Sequence, residues 1–454
     1  LSTPAAAHLI AHHDADGGFL LTASHNPGGP DGDFGIKFNV RGGGQASVTL
    51  TETTWQRTRE LSEYRIMEGA DVPLQKTGTY DFHGMTIDVV DPAEAYLALL
   101  GRLFDLDRVA GLLTGSFRMR FDAMHAITGP YAKALFEDML GAPAGSVRNG
   151  VPQPDFGGGH PDPNPVDAAG LVAHMAGPDA VDFAAASDGD GDRNMILGPN
   201  LVVSPGDSLA ILAANAPRVP GYRDGLTGVA RSMPTSRAVD RVAQAMGIPC
   251  YETPTGWRYF ASLLEHEHIT LCGEESFGTG SRHVREKDGL WAVMFWLDII
   301  AARGQGVREI VQEHWLRFGR DYFARHDYVI DDRDAADRVM QGLQSRLPAL
   351  AGTQVEGLEV EAADRFDYAD PVSGETVEAQ GLRICFAGGA RAVLRLSGTG
   401  TGGATLRLYL DQHHQAADAL ALDRHTVLAP VARAAATLAQ IATVTGLESP
   451  SAVI

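Results

Sequence analysis

The sequence predicts an α/β protein of several domains, on three observations. Short apolar runs with strand character alternate with helically spaced stretches along the chain. At 454 residues the chain is too long for one hydrophobic core and suggests three or four domains. Its Gly- and Pro-rich segments hold no charge run or low-complexity repeat, so they read as ordered loops between elements rather than as linkers.

Taken in order, residues 1–10 read as a helix already under way. They lack the basic start and long apolar stretch of a signal peptide, and the chain is expected to lack an N-terminal portion. Residues 18–23 read as a short buried strand, and 38–40 follow a turn-rich loop. Residues 120–124 read as a strand, followed by helical spacing over 129–139 with Pro130 suited to a first helical position. Segment 151–165 is the most prominent Pro/Gly-rich loop. Residues 183–187 form a strand, and 207–216 and 236–246 form helices, the second stopped by Gly247. The strongly apolar helix 291–302 contains Asp298 and is far short of the roughly 18 residues a membrane span needs. Residues 391–396 and 404–410 alternate like the strands of a hairpin, and an Ala-rich helix runs from about residue 430 to 444. Seams near 91, 204 and 322 divide the chain into blocks 1–91, 92–204, 205–322 and 323–454.

Composition narrows the partners. A hydrophobic share of 44% with 21% charged residues excludes wholesale disorder. The 37 Lys+Arg against 57 Asp+Glu give a net charge of −20. Such a surface repels nucleic acid and anionic membranes, so a phosphorylated ligand must meet a local basic pocket. Cys250, Cys272 and Cys385 are far apart with no CxxC, which argues against a disulfide framework or structural zinc and for a reducing cytoplasm.

Four loops carry chemistry. In Thr22–Gly29 (TASHNPGG) the Asn26-Pro27-Gly28-Gly29 turn holds Ser24 out at a strand end, although a lone Ser-His pair is more often an ordinary polar turn. In 187–193 (SDGDGDR) three carboxylates at alternate positions, Asp188, Asp190 and Asp192, can converge on one hard cation. A calcium EF-hand fails there, because Arg193 and Pro199 stand where Gly and Glu are needed, and magnesium fits better. A solvated acidic turn is the alternative. In 272–278 (CGEESFG) Glu274 and Ser276 present an acceptor and a donor suited to a polyol, or else cap a helix. In 395–403 (RLSGTGTGG) the glycines satisfy GxGxxG, but a strand-like run follows instead of a helix, which refuses a dinucleotide site. What remains is a Gly-rich hairpin with Arg395, Ser397, Gly398, Thr399 and Arg407 as a phosphate cradle, or a plain β-turn with surface arginines.

These four motifs, in this order, resemble those of the α-D-phosphohexomutase superfamily, in its glucose-specific phosphoglucomutase branch. FDAMHAITGPYAK, DFGGGHPDPNP, ETPTGW and REKDGLWAV resemble it too, and the likeness covers essentially the whole chain. It implies four domains around a central cleft: three similar mixed α/β domains and a smaller C-terminal α+β domain. The implied reaction interconverts α-D-glucose 1-phosphate and glucose 6-phosphate through a phosphoserine and glucose 1,6-bisphosphate. By resemblance Ser24 carries the phosphoryl group with His25 beside it. Asp188, Asp190 and Asp192 hold one Mg²⁺ together with an oxygen on Ser24, and Arg193 meets the phosphoryl charge. Lys37 and Lys287 are candidates for proton transfer or phosphate contact. Thr255, Gly256, Glu274 and Ser276 contact the sugar, and Arg395, Ser397, Gly398, Thr399 and Arg407 grip the second phosphate. The family has a further N-terminal segment with a Gly-Thr-Ser-Gly-Leu-Arg-like motif, expected to be missing here, which puts turnover by this chain in question. Arg258 stands where the family often has Lys. Hexose phosphates are the expected partners of a cytoplasmic monomer, with no nucleic acid and no membrane. A phosphomannomutase, a dual-specificity mutase and a non-catalytic interaction relative are the competing readings.

Overall fold

A computed structural model describes residues 1–30, 32–397 and 403–454. The first helix, Thr3–His12, is not one in progress. The Ser2 side chain accepts the Ala5 N–H, and Pro4 sits in the first turn, a hydroxyl cap and a preset φ that together start a helix. Strand Gly17–Leu21 follows and pairs antiparallel with Ile36–Val40. The buried strand expected at 18–23 is corrected here: Leu20 alone is buried, while Phe19 and Leu21 are 72% and 70% exposed. A two-stranded ribbon has two faces, and only the one carrying Leu20 can sit against the helix.

The second block holds a five-stranded sheet in the order Val147–Arg148, Met119–Asp122, Phe183–Ala186, Met195–Gly198, Leu201–Val202. Its first three strands are parallel and the rest antiparallel. The acidic loop 187–194 therefore leaves the carboxyl end of a fully buried strand and returns through its antiparallel neighbour. The expected helix after Pro130 forms. It begins at Thr128, so Pro130 is its third residue and not its first, and it widens over Lys133–Met139, where the Leu140 N–H reaches the Leu135 carbonyl at 3.0 Å.

The third block carries a four-stranded sheet, Cys250–Thr253, Val229–Ser232, Leu271–Gly273, Thr279–Ser281, with its last strand antiparallel. Helix Pro205–Asn215 is capped by Ser204, and Ala238–Met246 ends at Gly247 with φ of 68°. The last sheet has seven strands and is centred on Arg320–Ile330, Ala404–His414 and Ala390–Ser397, the first of which starts ahead of the expected seam at 322. The C-terminal helix starts earlier than expected, at Arg424, because Asp423 caps it through the Thr426 N–H, so Pro430 lies inside. It ends at Gln440, left-handed at φ of 55°, and the short helix Ile441–Thr445 continues. No described helix is long and apolar enough to cross a membrane.

One helix organises the core. Gly289–Arg303 is buried from Gly289 through Ile300. It joins Ala5, Tyr96, Phe121, Leu209 and Val229 in one apolar cluster, so the first three blocks share a large core, beside smaller clusters around Met175 and Phe260. Asp298 does not break it, because Arg108 donates Nε and Nη2 to its Oδ1 at 2.9 and 2.6 Å. A second cluster, including Tyr322, Leu382, Leu406 and Leu428, serves the last sheet. Trp296 is fully buried and donates its Nε1 to Ser208 Oγ at 2.9 Å. Trp296→Ala removes both the packing and the hydrogen bond, at an expected cost of about 3–5 kcal/mol. Urea titration checks this, and a loss below about 1 kcal/mol would show that the helix is not the shared core.

Candidate active site

The Ser24 turn is held by its neighbours. Ser24 has φ of 60°, a left-handed conformation that costs a non-glycine residue about 1–3 kcal/mol and persists only when its surroundings fix it. Thr22 does much of that fixing: its Oγ1 accepts the Ser24 N–H at 2.8 Å and donates to Asp190 Oδ2 at 3.2 Å. A side chain at Gly189 would collide with the Ser24 carbonyl oxygen, so the acidic loop can approach this closely only as glycine. His25 Nδ1 lies 3.2 Å from Ser24 Oγ.

Asp188, Asp190 and Asp192 are buried, each with a carboxylate oxygen within 4.8 Å of the others. Every one of them has one oxygen engaged. Asp188 Oδ1 accepts the Arg193 N–H at 3.0 Å. Asp190 Oδ2 accepts from Thr3 Oγ1 and Lys37 Nζ, both at 2.7 Å. Asp192 Oδ2 meets Lys37 at 3.2 Å and Lys287 at 3.1 Å. The other three oxygens, Asp188 Oδ2, Asp190 Oδ1 and Asp192 Oδ1, are buried without a hydrogen bond, Asp188 Oδ2 having only the Arg193 Nε at 3.8 Å. Buried polar atoms are rarely left so, and three anionic oxygens converging on one point are the donor set of a hard divalent cation. The residues therefore fit a metal ion. Burial and repulsion from Asp192 and Asp190 push the Asp188 carboxyl well up, whereas Lys287, Lys37 and Arg193 overcome burial to hold Asp192 far below the usual range.

Around this centre the third block closes in. Arg193 bonds Asp162 Oδ1 at 2.8 Å and forms a backbone bridge to Gly278. The Gly256 N–H donates to Glu274 Oε1 at 2.9 Å, Thr255 Oγ1 lies 3.4 Å from Glu275 Oε1, and Ser232 bonds the same Glu275 carboxylate. Ser276 is half-buried beside them. Buried Glu286 takes Gln45 Nε2 at 3.0–3.1 Å, and burial lifts its pKa to about 7 against the pull of Lys37. Ser24, His25, Lys37, Arg193, Lys287 and the three aspartates thus come together, with Thr255, Gly256 and Glu274 adjoining.

On the hairpin Arg395 stands opposite Arg407, and Ser397 opposite Thr405, so the two arginines share a face. Arg395 Nε donates to the Gln380 carbonyl at 3.1 Å, while Arg407 Nε is buried 3.9 Å from Asp327 Oδ1 without a hydrogen bond. Gly398 and Thr399 lie outside the described residues. Sequence reasoning names neither Thr3 nor Asp162, Glu275 and Glu286. Thr3 meets a partner 187 residues away, and nothing local announces that. Asp162 and Glu275 lie inside recognisable segments, HPDPNP and GEESFG, and were within reach.

Fold and site together define the α-D-phosphohexomutase class. The models for phosphoglucomutase/phosphomannomutase α/β/α domains I, II and III match residues 1–65, 94–200 and 205–318, and that for the phosphoglucomutase-1 C-terminal domain matches 320–451. The chain belongs to the phosphoglucomutase/phosphomannomutase family. It is 50% identical to a phosphoglucomutase of Rhizobium radiobacter over 453 residues, covering 100% of this chain and 84% of the relative. It is 46% identical to human phosphoglucomutase-1 over 469 residues, covering 100% and 83%. Among solved structures it resembles the open form of the exocytosis-sensitive phosphoprotein pp63/parafusin, a phosphoglucomutase of Paramecium. The TM-score there is 0.91 at 42% identity, over 100% of this chain and 83% of that one.

Two outcomes follow from the geometry. Asp190→Asn should weaken divalent-cation binding at least tenfold, since it removes one of three anionic ligands. Titration calorimetry with Mg²⁺ reads the change, and an unaltered affinity would remove the triad as a metal site. Burial and the Arg193 cation push His25 down to about 4, so its ring should stay neutral from pH 7 to pH 5 and titrate near 4 by NMR. The folded protein then binds this proton less tightly than the unfolded chain, so His25 takes nothing from stability above pH 6.5 and progressively more as pH falls towards 4. A midpoint near 6.5 would contradict the burial.

Proposed function

We propose that the protein interconverts α-D-glucose 1-phosphate and glucose 6-phosphate, through a phosphorylated Ser24 and glucose 1,6-bisphosphate. The observation that carries this reading is the meeting of the Ser24 turn with the carboxylate triad and three cations, Lys37, Arg193 and Lys287. Phosphoryl transfer passes through a loose transition state, so positioning and charge neutralisation supply most of its acceleration. A bound Mg²⁺, held by Asp188, Asp190 and Asp192 with an oxygen on Ser24, would supply charge neutralisation at the phosphoryl oxygens. Ser24 Oγ gives up its phosphoryl group to the free sugar hydroxyl, whose proton passes to a nearby base, for which neutral His25 is the candidate able to accept it. Lys37 and Lys287, held charged by the aspartates, contact the phosphoryl oxygens or return a proton. In the return step the other phosphate of the turned bisphosphate moves to Ser24 Oγ. Arg193 meets the charge in transit, and Thr255, Gly256, Glu274 and Ser276 hold the sugar hydroxyls. Arg395, Ser397, Gly398, Thr399 and Arg407 grip the phosphate that is not reacting.

The relatives at 44–50% identity are phosphoglucomutases, which supports glucose over mannose. An intact Ser24 and triad support catalysis over a purely interacting role. The protein acts as a monomer in the cytoplasm in this reading, in keeping with the free thiols of Cys250, Cys272 and Cys385.

Ser24→Ala should abolish turnover of glucose 1-phosphate in a coupled assay while leaving the unfolding curve unchanged. Arg407→Ala should lose a charge-assisted contact of about 1.5–3 kcal/mol, raising KM roughly ten- to a hundredfold and letting labelled bisphosphate escape. Retained turnover in Ser24→Ala would overturn the phosphoserine, and faster turnover of mannose 1-phosphate would overturn the substrate.

A further inference from the structure

The second block has a groove that none of these roles uses. It opens at the carboxyl ends of the parallel strands Val147–Arg148 and Met119–Asp122, where α/β sheets place their ligands. Its volume is about 500 Å³, the size of a small-molecule site. Arg120, His125, Arg148, His160 and His174 line it, with Asp122 and Asp167 as its acids.

Both acids are already engaged. Asp122 Oδ1 accepts the Met124 N–H at 2.9 Å and Asn149 Nδ2 at 2.8 Å. Asp167 Oδ2 takes Asn164 Nδ2 at 2.6 Å and His160 Nδ1 at 3.0 Å. Among the described residues neither Arg120 nor Arg148 has a carboxylate at ion-pair distance. His174 Nε2 is buried without a partner. Burial and the Arg148 charge lower the pKa of Arg120, and burial followed by the Arg120 charge lowers that of His174. In a chain of net charge −20, two guanidiniums in one groove, with Asp122 near both but ion-paired to neither, are conspicuous. Their mutual repulsion is relieved by an anion.

The rim is fixed in shape. Met124, His125, Asn149 and Phe156 all have positive φ, at 51°, 55°, 49° and 52°. The His125 N–H donates to the Asn149 carbonyl at 3.0 Å, and the Gln153 N–H to the His125 carbonyl at 2.9 Å. Two planar donor forks with an imidazole nitrogen beside them match a tetrahedral dianion better than a single carboxylate.

We infer that this groove is a second anion site, which binds a small phosphomonoester through Arg120, Arg148 and His174, next to the Ser24 centre, with His160 on its wall 5.9 Å ring to ring from His25. Calorimetric titration with glycerol 3-phosphate tests it on the full chain. Wild type should show two classes of site, and Arg407→Ala, altered in the hairpin cradle, should keep the groove site. Arg148→Glu should lose that site at least tenfold without losing turnover of glucose 1-phosphate. Arg148 is exposed on an edge strand, so this change leaves the fold intact, and Arg120→Gln, nearer the core, should give the same loss. An Arg148→Glu isotherm superimposable on wild type would overturn the site. So would a single class of site in wild type that Arg407→Ala removes, because every bound anion would then belong to the cleft.

Discussion

Three buried carboxylates answered by three cations, one buried and two largely so, are the constraint on which the rest of this molecule depends. Lys37 comes from the first block, Arg193 from the second and Lys287 from the third. None of these charges could be withdrawn from water alone, since an unpaired buried ion costs several kcal/mol. The blocks are therefore tied at the site as well as through their common apolar core. One oxygen on each aspartate still accepts no hydrogen bond, and it is there that a divalent cation fits.

The glycines around the triad follow from the same crowding. Gly189 lets the acidic loop lie against Ser24, and Gly289 sits where a side chain would strike the Arg193 carbonyl. Glu286, bonded by Gln45, adds another contact between the first and third blocks close to Lys37. Polar groups from distant segments thus serve two purposes at once, joining blocks and setting charge.

Much of this was legible in the sequence because the informative units are local. SDGDGDR places three carboxylates on one short return between strands, and no tertiary knowledge is needed to see that they must converge or repel. The apolar helix around Trp291 and the paired strands on either side of the Gly-rich loop were readable for the same reason, since their periodicity lies within one segment. Three local readings failed where context decided. Phe19 and Leu21 look like core residues, but a ribbon of two strands has an outer face. Residues 1–10 carry helical spacing that does not reveal Ser2 as a cap. Pro430 reads as a helix start, yet Asp423 supplies a better one. A long-range partner such as Thr3 for Asp190 left little local trace, because its meaning arises only when segments far apart in the chain meet.

The helix Gly289–Arg303 also bears on synthesis. Its side chains complete a core begun by Ala5 and Tyr96, and Val307, Ile310 and Val311 from the following helix belong to it as well. During translation those early apolar surfaces emerge long before their cover does. The whole span from Ala5 to Val311 must leave the ribosome before this core can close, so its early apolar surfaces stay uncovered through the synthesis of three blocks.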